Sequence, residues 1–94
     1  MSYLIGLQSD HRTWKLISSE PDMLAYEADL LVKRHGFVLV QYLENIDEVY
    51  MVGVIGDFKS WVWYTTFDEA SRHRDAQSRF YSSKEVFYER IRRT

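Results

Sequence analysis

Short, largely apolar β-prone runs separated by polar turns predict the strands in this chain. Tyr3–Gln8 and Thr13–Ile17 are short β-prone runs on either side of the polar turn SDHR, so they predict a hairpin. Three further runs follow in the middle of the chain, joined by the short connections ENID and GDFK, and predict an antiparallel meander. These runs are Phe37–Leu43, Val49–Ile55 and Ser60–Thr66.

A helical pattern separates the hairpin from the meander. Ser19 is a typical N-cap, Pro21 falls in the first turn, and Gly36 after three basic residues is typical of a helix end. We expect the apolar stripe of this helix to face the core. It consists of Leu24, Ala28 and Leu31, widened by Met23 and Leu30.

Two capping boxes predict two helices in the C-terminal region, over about 67–80 and 83–93. The boxes pair Thr66 with Glu69 and Ser82 with Glu85. The predicted order is therefore ββαβββαα, an α+β fold in which helices pack on an antiparallel sheet. The spacing of the elements suggests no internal repeat and no linker, so we expect one domain over residues 1–94.

The predicted meander carries apolar side chains on both faces, and the second face is rich in aromatic residues. A bare surface of this kind would exceed the ~300–600 Å² patch typical of a monomer. Three kinds of element could bury this second face: a helix of the same chain, a second copy in a homodimer, or another protein or nucleic acid. The residues expected to contact a partner on this face are Tyr42, Tyr50, Trp61 and Trp63.

Charge is distributed unevenly along the chain. Residues 1–70 hold five Lys/Arg and eleven Asp/Glu (5 − 11 = −6), whereas residues 71–94 hold seven and three (7 − 3 = +4). In the predicted tail helices, Lys84, Tyr88 and Arg92 would form one exposed row, the best candidate contact there. The basic residues expected to be available for a partner in these helices are Arg74, Lys84, Arg90 and Arg92. A pI of about 5.9 disfavours a nucleic-acid-binding domain.

The composition excludes several classes of protein. The chain has no cysteine, which excludes disulfides and thiolate zinc sites and fits the cytoplasm. No apolar run reaches the ~18 residues that span a bilayer, so no membrane contact is expected. The SDH and HRD triplets lack the partners that a catalytic triad or a kinase loop requires. We therefore expect no catalytic residue, no metal site and no cofactor.

These observations favour a small non-enzymatic protein-binding domain. It would act as an adaptor or as a compact inhibitor or modulator of the kind that phages and mobile elements encode. Its expected contacts are the aromatic sheet face and the basic C-terminal helix, and its partner is another protein or a second copy. The alternative is a nucleic-acid-binding domain that uses the Arg-rich C-terminal helices.

The proposed start of the first helix can be tested by removing its cap. We expect Ser19→Ala to lower the free energy of unfolding by ~1 kcal/mol, because the side chain would no longer cap the first turn. Chemical denaturation measures the loss. An unchanged midpoint would mean that the Ser19 side chain does not cap the helix.

Overall fold

The computed structural model describes residues 1–33, 36–44 and 46–94. It confirms the α+β class, with antiparallel strands and two helices. The first seven elements have the predicted types in the predicted order, and the eighth is a strand instead of a helix. The elements are β1 (Ser2–Leu7), β2 (Asp10–Ile17), α1 (Glu20–Lys33), β3 (Val38–Leu43), β4 (Glu48–Val54), β5 (Asp57–Tyr64), α2 (Phe67–Gln77) and β6 (Val86–Arg92).

The strands form two three-stranded sheets, one in each of two compact units. The first unit comprises residues 1–47 and 92–94 and contains the sheet ordered β2-β1-β3; the second comprises residues 48–91 and contains the sheet ordered β5-β4-β6. The predicted meander is therefore wrong, because β3 pairs with β1 and only β4 and β5 form a hairpin. The expectation of one domain over 1–94 stays a prediction.

The two units are repeats of one ββαβ design, contrary to the expectation of no internal repeat. The segments YLIGLQSDHRTW and YMVGVIGDFKSW begin at Tyr3 and Tyr50, 47 residues apart, and share their tyrosine, glycine, aspartate and tryptophan positions. The strand pairing repeats with the same offset: Tyr3 lies opposite Ile17, and Tyr50 opposite Tyr64. Both hairpins also have a register shift two residues later in the first strand. The sequence similarity between the two units is weak, because most of their other positions carry different residues.

A tryptophan packed onto a glycine forms the central contact of each hairpin. A Cβ added at Gly6 would lie 2.4 Å from Trp14 Cγ, and one added at Gly53 would lie 2.3 Å from Trp61 Cδ1. Each indole also donates a hydrogen bond back across the hairpin, at 3.0 Å from Trp14 Nε1 to the Leu7 carbonyl. Only glycine leaves room for the ring at this position.

A hydroxyl group completes each hairpin turn. Thr13 Oγ1 accepts a hydrogen bond from the Leu7 N–H at 2.8 Å and donates one to the Asp10 carbonyl at 2.7 Å. Ser60 makes the same two bonds in the second unit, to Val54 and Asp57, at the same distances. The hydroxyl therefore satisfies a backbone N–H that the register shift removes from the strand ladder.

Each sheet has one face packed against the helix of its own unit. In the first unit Met23 and Leu30 of α1 belong to a buried cluster with Tyr3, Ile5 and other sheet residues. In the second unit Ala70 of α2 packs with the sheet residues Tyr50 and Val52. The start of α1 lies where the sequence predicts it, since Met23 N–H donates to the Ser19 carbonyl at 2.9 Å. Its predicted end involves Arg34 and His35, which lie outside the described residues.

The first tail helix is confirmed as α2, and the Thr66 side chain caps it. Thr66 Oγ1 accepts a hydrogen bond from the Glu69 N–H and donates one to Glu69 Oε1 at 2.8 Å. The second tail helix, predicted over 83–93, is wrong, because Val86–Arg92 is strand β6. Phe87 and Ile91 are both buried. A spacing of four residues puts two side chains on one side of a strand as well as of a helix, so this pair could not distinguish the two.

The hydroxyl at the hairpin turn allows a test that uses the repeat as its control. We expect Ser60→Ala to destabilise the protein by about 1–2 kcal/mol, since the Val54 N–H loses its acceptor. Ser60→Thr carries the residue of the first repeat and should keep most of this stability. Urea denaturation of both variants measures the difference. Equal loss in both would show that the hydroxyl does not support the turn.

Candidate functional site

The aromatic residues that were expected to form one contact face do not lie on one face. Tyr42 belongs to the first unit, where its exposed ring (65 % accessible) packs edge-on against Tyr3 at 5.2 Å between centroids. The other three lie in the second unit on β4 and β5. There Met51 pairs with Trp63, which puts the Trp63 side chain on the face opposite to Tyr50.

The register of the second hairpin explains this difference. The predicted GDFK turn would put Met51 opposite Tyr64. The turn is shorter than this, and the register shift between Val52 and Val54 puts Tyr50 opposite Tyr64 instead. The net change in pairing is one residue, and such a change moves the side chains of a strand to the other face. Trp61 and Trp63 therefore share the face of Met51, and Tyr50 shares the face that α2 covers.

Tyr50 and Trp61 have structural roles in the second unit. Tyr50 is buried, and its hydroxyl donates to Glu48 Oε2 at 2.6 Å, a bond that raises the pKa of the phenol. Trp61 packs on Gly53 and donates to the Val54 carbonyl at 2.8 Å. The first unit has a tyrosine and a tryptophan at the same two positions. Their presence is therefore explained by the fold, and partner contact is not needed to account for them.

The basic residues of the C-terminal region do not form the predicted row. Lys84 lies in an exposed turn, whereas Tyr88 and Arg92 lie on β6, so the helical alignment of these three residues is wrong. The Arg74 guanidinium lies 5.2 Å from the ring centroid of the half-buried Tyr88 and 3.8 Å from Asp75. Arg90 forms an ion pair with Glu48, which raises the pKa of the guanidinium. Two of the four candidate cations thus contact groups of their own unit.

An exposed apolar surface lies instead on α1. The accessible fractions are 50 % for Leu24, 60 % for Leu31 and 85 % for Val32, and Ala25 and Ala28 are exposed beside them. These five residues share one side of the helix, and we call them the outer face of α1. The opposite side, with Met23 and Leu30, is the one that packs on the sheet.

The expectation that Leu24, Ala28 and Leu31 face the core is therefore wrong. The helix has apolar residues around much of its circumference, so several arcs fit the usual pattern of a core-facing stripe. Periodicity alone does not choose between them. The buried arc is the one that meets the sheet, which only the packed structure identifies.

The second repeat supplies a comparison for these positions. With the offset of 47 residues, the outer face of α1 corresponds to Ser71, Arg72, Asp75, Ser78 and Arg79. The last two follow the end of α2, and all but the partly exposed Ser71 are exposed. A helix in the same ββαβ design thus has a polar outer side. The fold does not require apolar residues there.

The inner sides of the two helices differ in the same sense, since α2 is again the more polar helix. Leu30 of the first unit corresponds to Gln77, and Tyr26 corresponds to His73. His73 Nδ1 lies 2.8 Å from the Tyr64 hydroxyl, while His73 Nε2 and Gln77 Oε1 are buried without a hydrogen-bond partner in the described structure. The second unit therefore packs a polar pair where the first packs apolar side chains.

Other kinds of site find no support in the described part of the chain. Within residues 1–33, 36–44 and 46–94, no group of three or more His, Asp or Glu side chains is arranged to hold a metal ion. No helix in these ranges is long and apolar enough to cross a membrane. Comparison of the chain with protein-family models, curated proteins and solved structures gives no match.

The polar pair of α2 leads to a stability prediction. We expect Gln77→Leu to raise the free energy of unfolding by about 1–2 kcal/mol, because it replaces a buried, unpaired amide oxygen with the apolar residue of the first repeat. The reciprocal Leu30→Gln should destabilise the protein by about 2 kcal/mol or more. Thermal and chemical denaturation measure both. A loss of stability in Gln77→Leu would mean that Oε1 has a partner in solution.

Proposed function

We propose that this chain is a small non-enzymatic protein-binding module that uses the outer face of α1. One observation carries the proposal: this face is apolar and exposed, whereas the equivalent positions of the second repeat are polar. Exposed aliphatic side chains lower solubility and contribute little to the packing of the unit. Their presence at positions where the fold accepts serine, aspartate and arginine is explained by burial against another protein.

The spacing of the face suits a known mode of recognition. Leu24, Ala28 and Leu31 follow the i, i+4, i+7 spacing by which an amphipathic helix docks into an apolar groove or onto another helix. Burial of such side chains contributes roughly 25 cal/mol per Å² of apolar area removed from water. Val32 adds a side chain that is 85 % accessible. The two alanines allow a partner backbone to approach closely.

The proposed role is that of an adaptor, or of an inhibitor or modulator that acts by occupying a surface of its partner. A chain of 94 residues with a preformed apolar helix face can do this without a catalytic centre. The absence of cysteine suits a reducing compartment, so we place the activity in the cytoplasm.

The nucleic-acid alternative has less support. It rests on four basic residues of two predicted helices, but Arg90 contacts Glu48 and Arg74 lies against Tyr88 and Asp75. The net charge of −2 also opposes attraction to phosphates.

The test exchanges the outer face for the residues of the second repeat. The exchange variant is Leu24→Ser, Leu31→Ser and Val32→Arg, and it should keep the fold because the replaced side chains are exposed and the new residues occupy the corresponding positions of the second repeat. The control variant is Asp29→Ala, which also takes a second-repeat residue but lies outside the outer face. Each protein, isotopically labelled, serves as bait in lysate of the organism that encodes it, with and without nuclease treatment. Mass spectrometry then quantifies the captured proteins.

We expect the wild type and the control to capture the same protein in similar amounts. The exchange variant should capture at least ten-fold less of it. Circular dichroism and denaturation must show that the exchange variant is folded. Equal capture by all three baits would overturn the proposal. Capture that disappears after nuclease treatment would favour the nucleic-acid alternative instead.

A further inference from the structure

The outer face of α1 has a pattern that is symmetric about its own centre. Its apolar positions are 24, 25, 28, 31 and 32, so each position on one side of Ala28 has an equivalent at the same distance on the other. A twofold axis through Ala28 and perpendicular to the helix would place Leu24 of one copy against Val32 of the other. The same axis would place Ala25 against Leu31. A surface of this kind is complementary to itself in an antiparallel arrangement.

The charges at the two ends of α1 favour the same arrangement. Glu20 and Asp22 lie in the first turn, and Lys33 lies in the last. In an antiparallel pair the acidic turn of each helix lies beside the basic turn of the other, and the helix dipoles are opposed, which is favourable. A parallel pair would instead place the two acidic turns together. Lys33 Nζ contacts Asp29 of its own helix at 2.9 Å, but the side chain is largely exposed and can also reach a partner.

We propose that two copies of this chain pair through the outer faces of their α1 helices, antiparallel, with Ala28 at the crossing point. The pairing rests on the proposed function in using the same face, and it names a second copy as the partner. Its small central residue lets the helices approach to the lower end of the 8–10 Å range of packed helices. Large side chains at both ends of the face then pack around the crossing.

The size of the face sets the strength of the pair. Stable interfaces bury ~800 Å² per partner, and one side of a single helix supplies less than this. The dimer should therefore be weak and dependent on concentration, with a dissociation constant in the micromolar range or above. This expectation makes the oligomeric state measurable by titration.

The first experiment measures mass against concentration. Sedimentation equilibrium of the wild-type chain should give an average mass that rises from 11.3 kDa towards twice that value between micromolar and millimolar protein. Asp29→Ala should behave in the same way, and the exchange variant should remain at the monomer mass. A wild-type mass that stays at 11.3 kDa throughout would overturn the pairing. So would an exchange variant that associates as strongly as wild type.

The second experiment tests the geometry with single cysteines, which the chain otherwise lacks. Ala28→Cys places two thiols at the twofold axis, where the Cα atoms can come within the ~7 Å that a disulfide spans. Leu24→Cys places them about 12 Å apart along the helix axis, since opposed residues then differ by eight positions. We expect rapid disulfide formation in Ala28→Cys and at least ten-fold slower formation in Leu24→Cys. The reverse order would overturn the antiparallel arrangement.

The two proposals can fail separately. A monomeric wild-type chain whose lysate partner is lost in the exchange variant would contradict the pairing and support the protein-binding function. Because the bait is isotopically labelled, native copies of the chain captured from lysate can be recognised. A chain that pairs as proposed but captures no other protein would limit the function of the face to self-association.

Discussion

The contact between a tryptophan and a glycine on the neighbouring strand determines how each half of this protein is built. The indole occupies the space that a Cβ would take, and its N–H reaches the carbonyl at the end of the first strand. The hydroxyl of Thr13 or Ser60 bridges the register shift next to it. Together these groups set the pairing of each hairpin, and the pairing decides which side chains face the helix.

Because this arrangement occurs twice, the chain contains its own comparison. Positions that are the same in both units and make the same contacts are explained by the fold. Tyr50 and Trp61 belong to this group, which is why their aromatic character is not evidence for a partner. Positions that differ between equivalent surfaces are the ones that the fold leaves open to other uses.

The helices contain the most informative differences. The α1 helix is apolar on its outer side and on its inner side, whereas α2 is polar on its outer side and has His73 and Gln77, each with one buried polar atom, on its inner side. The helices thus occupy the same place in the two units but have different surfaces. The first has surface suited to association, and the second accepts a polar pair in its core at a cost in stability.

The sequence by itself determined the fold class, seven of the eight element types and the cap of α2, since these depend on local patterns and on residues close in the chain. It left β6 ambiguous, because the pair Phe87 and Ile91 fits either period. Three features were decided only by tertiary structure: the partner of β3, the face on which Trp61 and Trp63 lie, and the side of α1 that is buried. Strand partners and helix orientation depend on contacts between distant residues, and a single-residue change in register exchanges the two faces of a strand. The candidate site therefore lies on α1 and not on the aromatic strands. The apolar residues of α1 are evident in the sequence, but only its packing against the sheet shows which of them are exposed.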